Sequence, residues 1–201
     1  AWFQAGRNAD IEKTYKLNLG EDDILLSWDL HNDDGDPLSY RLFFKSPYLG
    51  DWKEFGSRIR NKYHVIKKSY LPDGEYFFKI LLSEPGPSTG FVETDSLTSR
   101  KVFVDNTPPV IRDVLIKNGM VTFKVLDNLS PVYKIEYSYL LEDFRALLPS
   151  DGVNDSKEES YTLKFPDNAP YVILRVIDDP GNTAYESIEL KNPTPVSPAK
   201  K

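Results

Sequence analysis

The sequence predicts an all-β chain built as two consecutive β-sandwiches joined by a short proline-rich linker. Three observations predict it. Short segments alternate apolar and polar residues with the period of half-buried strands. Dense Gly, Pro, Asn and Asp clusters separate those segments, as turns require. Finally, Asp105, Asn106, Thr107, Pro108 and Pro109 almost bisect the 201 residues. A double proline neither continues a ladder nor enters a helix comfortably, so it pushes the chain into extended geometry. The expected domains are residues 1–107 and 108–191, with a flexible tail at 192–201 that holds three prolines and no apolar pattern.

The first half reads in order. Residues 15–19 place Tyr15, Leu17 and Leu19 on one face and suggest a first strand. Ile24, Leu26 and Trp28 alternate against Ser27 and Asp29 in the second strand. After the turn at residues 31–37, Leu38, Tyr40, Leu42 and Phe44 share one face of the third. Shorter segments follow at 52–55 and 63–66. Leu71, Pro72, Asp73 and Gly74 then turn the chain into a strand that points Tyr76, Phe78, Ile80 and Leu82 inward. Residues 101–104 close the set. Trp28 is the natural centre of this core, and its indole N–H needs a partner there. Trp2 and Phe3 read as a frayed end or as an interface to a neighbour.

The second half repeats the plan, with strands expected at 110–116, 121–125, 133–139, 144–148, 161–165, 172–176 and 184–190. Tyr133, Ile135, Tyr137 and Tyr139 are expected on one face of the third of these. Six or seven short strands per hundred residues are the signature of a two-sheet sandwich.

Charge and composition remove several function classes. Lys and Arg number 14 against 17 Asp and Glu in residues 1–107, and 11 against 14 beyond, so each half carries −3. With no basic tail or stripe, neither nucleic acid nor membrane insertion is expected. No run of 18 apolar residues exists. The chain has no cysteine, which excludes disulfides and thiolate chemistry but leaves the compartment open. His31 and His64 are the only histidines, and neither has zinc-ligand spacing. No strand–turn–helix context presents a nucleophile. Catalysis is therefore not expected.

The candidate binding residues are aromatic. Phe43 and Phe77 fall opposite the first core on adjacent strands, where apolar surface marks a docking face. Tyr48 and Trp52 flank the turn at Gly50 and suggest a platform for a glycan or a peptide. Trp2 is the remaining candidate. No cofactor is expected, with calcium as the minor alternative. Asp33, Asp34 and Asp36 lie in an acidic turn, but EF-hand spacing from Asn32 places apolar Phe43 where glutamate is required. That turn therefore reads as solvated Asx chemistry. Asp127 and Asp178 form a second acidic set if the loops after the second and sixth strands of this half share one end. Asp105 and Asn106 are placed to approach the same end.

Several stretches resemble a known superfamily. Trp28 in the second strand, Asp36 to Phe44 opening the third, and Leu71-Pro72-Asp73-Gly74-Glu75-Tyr76 leading into the sixth resemble fibronectin type III and immunoglobulin-like modules. Leu71 and Tyr76 stand where those modules carry the leucine and tyrosine of the tyrosine corner. The second half departs from this: Val172 occupies the tyrosine place, and its core has no tryptophan. Its phrases Ser130 to Ser138, Leu147 to Val153 and Asp179-Pro180-Gly181-Asn182 resemble the last Ig-like module of secreted bacterial β-propeller proteins. The resemblance implies a non-catalytic spacer, adhesion or docking unit in an extracellular, cell-surface or periplasmic setting. The implied partners are neighbouring domains of a parent chain or another protein. A carbohydrate-binding pair is the alternative.

Overall fold

The computed structural model describes residues 1–30, 38–85 and 91–190. The chain forms two compact units, Ala1–Asn106 and Thr107–Lys201.

The first unit opens with β1 (Trp2–Ala5) and a short helix, α1 (Ala9–Tyr15). The strands β2 (Asp23–Asp29), β3 (Ser39–Ser46), β4 (Leu49–Ile59) and β5 (Tyr63–Lys67) follow. After them come β6 (Gly74–Pro85), β7 (Phe91–Thr98) and β8 (Val102–Val104). One sheet runs β1-β2-β5; the other runs β4-β3-β6-β7, with β8 pairing the start of β6. Thus β7 and β8 lie along successive parts of one strand. Between them Ser99 Oγ accepts from the Phe78 N–H at 3.0 Å and keeps that donor satisfied. The inner faces meet in a core of Leu26, Trp28, Tyr40, Leu42, Tyr76, Phe78, Ile80 and Leu82. Trp28 is fully buried, edge-on to Tyr40 at 5.3 Å and to Phe3 at 6.2 Å. Among the described residues its indole N–H has no hydrogen-bond partner.

Two expectations at the N-terminus are overturned. Trp2 and Phe3 are neither frayed nor free: they pair with Asp29 and Trp28 as an edge strand. Residues 9–15 are helical, so the first strand is not at 15–19. The cause is a local cap. Asn8 Oδ1 accepts from the Ile11 N–H at 3.2 Å, while Glu12 Oε1 accepts from the Asn8 N–H at 3.0 Å. This reciprocal capping satisfies donors that an isolated helix end leaves open. Lys16, at φ 51°, ends the helix in the left-handed region.

At the turn into β6, the Tyr76 hydroxyl donates to the Pro72 carbonyl at 2.7 Å. That is the tyrosine corner. Gly74 follows at φ +149°, and a Cβ there would meet Pro47 Cγ at 3.0 Å. Both its backbone freedom and its small size are used.

The second unit holds β9 (Val110–Lys117), β10 (Met120–Leu126), β11 (Val132–Ser138), β12 (Arg145–Leu147), β13 (Glu158–Lys164), β14 (Tyr171–Asp178) and β15 (Thr183–Glu189). Its sheets run β13-β10-β9 and β12-β11-β14-β15. Val121, Phe123, Val125, Val132, Ile135, Tyr161, Leu163, Val172, Leu174 and Val176 fill the core between them. In both units the first, second and fifth strands face the fourth, third, sixth and seventh. Both are fibronectin type III-like β-sandwiches. The second lacks the corner hydrogen bond: Val172 is buried, and the Tyr171 hydroxyl has no partner among the described residues.

One face assignment in this unit is corrected. Val132 opposes Asp178 whereas Lys134 opposes Ile177, so the register slips at Tyr133. This bulge turns Tyr133 out to 62% exposure and leaves Val132 and Ile135 buried. A one-residue slip exchanges the faces of a strand, which is why strict alternation from Tyr133 fails.

Candidate functional site

The outer face of the β4-β3-β6 sheet holds most of the expected aromatics. Phe43 on β3 lies directly opposite Lys79 on β6, and Lys45 opposite Phe77. The two rings are therefore diagonal neighbours on one face. They do not form bare apolar ground. The Lys79 ammonium lies 5.1 Å from the Phe43 ring centre and 4.8 Å from that of Trp52. The Arg41 guanidinium covers Phe43 at 5.0 Å. Glu54 and Glu93 in turn hold Arg41, which donates to Glu54 through Nε at 3.2 Å and Nη2 at 2.6 Å. Charges thus cap Phe43 and Trp52 through cation–π contact. Tyr48 is exposed, but its hydroxyl donates to the Asp73 carbonyl. Tyr48 and Trp52 accordingly do not assemble as a stacked pair. Trp2 is partly exposed on β1, opposite Asp29.

The open apolar surface lies elsewhere. β9 is the edge of its sheet, bonded to β10 on one side only. Val114, Leu115 and Ile116 follow one another along it at 42%, 57% and 41% exposure. Apolar residues in succession leave both sides of the strand margin uncovered. Soluble proteins usually blunt such an edge with charge or a bulge. Here Arg112, Asp113 and Lys117 flank the stretch, and Asp113, at φ 56°, sits where the register with β10 shifts. Val114 lies within that shift, and Leu115 and Ile116 keep neither protection. A strand pattern reads only as core from sequence, so this surface is not visible there.

The third feature is acidic and lies within the second unit. Asp127 follows β10 and Asp178 ends β14, and their carboxylate oxygens lie within 4.8 Å of one another. Asp127 Oδ1 accepts from the N–H groups of Leu129 and Ser130, each at 2.8 Å. Asp178 accepts from the backbone N–H and the side-chain amide of Asn182, at 2.6 and 2.8 Å. Both carboxylates brace turns, as short acidic side chains do. The turn holding His31, Asp33, Asp34 and Asp36 lies outside the described residues.

His64 belongs to β5 and is half-buried beside Phe55, with ring centres 5.9 Å apart. Burial pushes its pKa below the ordinary value. Among the described residues it has no hydrogen-bond partner, so no hydroxyl or carboxylate is arrayed on it as catalysis by a histidine base requires.

No family model matches the sequence, and no curated protein matches it. Solved structures similar to the chain include the chicken CNTN1 FN1-FN3 domains, at 14% identity and TM-score 0.42, covering 85% of this chain and 61% of that one. Another is the chicken interferon gamma receptor alpha chain, at 12% identity and TM-score 0.38, covering 86% and 94%. A third is a segment of two fibronectin type III domains from chicken tenascin, at 15% identity and TM-score 0.37, covering 86% and 95%. The chain spans about three-fifths of the length of the first of these. Among the described residues, no helix is long and apolar enough to cross a membrane.

Proposed function

We propose that the chain is a non-catalytic, extracytoplasmic pair of structural and protein-interaction modules belonging to a larger protein, and that it docks a partner through the β9 edge. The succession Val114-Leu115-Ile116, exposed on an edge strand, carries the reading. An extended segment of another protein would add to β9 as a new strand. Its backbone would take up the outward N–H and C=O groups, and its apolar side chains would cover Leu115 and Ile116. The placement outside the cytoplasm rests on the resemblance of the Leu71 to Tyr76 corner to fibronectin type III modules. Fold alone does not choose a function, so the reading stands on the edge itself. The glycan alternative draws less support, because Lys79 occupies the face of Trp52 and Tyr48 is tied to Asp73.

Site-specific photo-crosslinking in the source cell tests it. A photoreactive residue at Leu115 should capture one defined protein. The same residue at Thr162, exposed on β13, should not. Equal capture from both positions, or none from Leu115, would refute the docking role.

A further inference from the structure

The geometry points to a divalent-cation site of the calcium class at the Asp127–Asp178 end of the second unit. Three observations carry it. The two carboxylates place oxygens within 4.8 Å of one another, a separation that a single ion can bridge. Both side chains are buried, Asp127 at 9% exposure and Asp178 at 0%, so water does not screen one charge from the other. Lastly, Asp127 Oδ2 is buried with no hydrogen-bond partner among the described residues, while Oδ1 of the same group takes two backbone donors and the Ser130 hydroxyl.

An orphaned carboxylate oxygen is an expensive thing to leave in a folded interior. A hard cation is the partner that suits it, since carboxylate oxygens are acceptors only. Arg112 does not serve: among the described residues Asp127 forms no ion pair, although Arg112 lines the same small cavity. That cavity, about 90 Å³, is bounded by Thr107, Pro108, Val110, Leu126, Asp127 and Asn128 as well. It has room for one or two waters beside the carboxylate. Calcium takes six to eight oxygens in flexible geometry and accepts waters and carbonyls among them. Magnesium gives up its water shell reluctantly and suits a buried pair less well. With two carboxylates of this unit as ligands, affinity falls in the range of extracellular modules, a Kd of about 0.1–1 mM.

Thermal melts of the whole chain test this, with calcium, magnesium and sodium chloride compared at matched ionic strength. Ten millimolar calcium should raise the melting of the second unit by roughly 5 °C or more, since a ligand of the native state stabilises by mass action. Magnesium should do less and sodium chloride nothing. Asp127→Asn keeps the Oδ1 acceptor for Leu129 and Ser130 and removes the charge at Oδ2. It should abolish the calcium shift while leaving the metal-free protein folded and at least as heat-stable. Isothermal titration of Ca²⁺ should show one site in the wild type and none in Asp127→Asn. A calcium shift retained in that variant, or no shift in the wild type, overturns the proposal.

Discussion

Replacing Tyr76 by Phe removes one oxygen and nothing else from the first core. The ring is 1% exposed and stacks near Phe78, so its packing is kept. What is lost is the 2.7 Å hydrogen bond to the Pro72 carbonyl. A neutral hydrogen bond contributes about 0.5–1.5 kcal/mol net. Pro72 is exposed, so water can reach the vacated carbonyl and no buried acceptor is stranded. The expected loss is therefore about 1 kcal/mol. With a urea dependence of about 1 kcal/mol per molar for a domain this size, the midpoint should fall by about 1 M. The assay can address one unit alone, because all three tryptophans, Trp2, Trp28 and Trp52, lie in the first. Tryptophan fluorescence thus follows the unfolding of that unit without contribution from the other. Tyr171→Phe in the second unit is the control. Its hydroxyl has no partner among the described residues, and its loss, read by circular dichroism, should stay within about 0.5 kcal/mol. A Tyr76→Phe midpoint indistinguishable from wild type would refute the account of the corner.

Further expectations follow from single contacts. Burial pushes the Glu136 carboxyl up, but hydrogen bonds from Lys134 and Arg175 and their charges outweigh it and hold the group below its ordinary range. A depressed folded pKa gives stability that is present above the unfolded value, about 4.3, and lost as pH falls through the folded one. Acid titration below about pH 4 should therefore destabilise the second unit, and Glu136→Gln should remove that slope at a cost of about 1–3 kcal/mol. Gly74→Ala forces a Cβ against Pro47 at a φ that side chains avoid, and should cost about 1–3 kcal/mol by urea titration. Leu174→Ala opens a cavity at the centre of the second core and should cost about 2–5 kcal/mol, visible as an early calorimetric transition.

How far the molecule was legible in its residues depends on whether local and tertiary signals agree. Tyr76 to Leu82 alternates, follows a Pro-Asp-Gly turn and buries the side chains that the alternation selects, because nothing interrupts its pleat. The helix at 9–15 was equally open to reading: Asn8, Asp10 and Glu12 form an N-terminal signature, yet the alternation of Tyr15, Leu17 and Leu19 masks it. β7 was not legible, since Glu93, Asp95 and Ser96 give it little apolar pattern and its pairing with β6 holds it. The Tyr133 bulge was not legible either, because a one-residue slip leaves composition unchanged. For the surfaces the lesson is sharper. Phe43 and Trp52 do lie on an outer face, but the cover supplied by Arg41 and Lys79 arises from cross-strand neighbours that only the register reveals. Val114 to Ile116 reads as core for the same reason: apolar content does not say which strand is last in a sheet. The proximity of Asp127 to Asp178, in contrast, follows from strand order alone, since the loops after the second and sixth strands reach the same end.

Amide hydrogen exchange along β9 bears most directly on the docking role. In the chain alone, amides of Val114 to Ile116 that point away from β10 should exchange quickly while those of β10, paired on both sides, exchange slowly, and the partner captured from Leu115 should slow the first set selectively. Outward amides already protected in the free chain, or unchanged once that partner is bound, would contradict an edge held open for another strand.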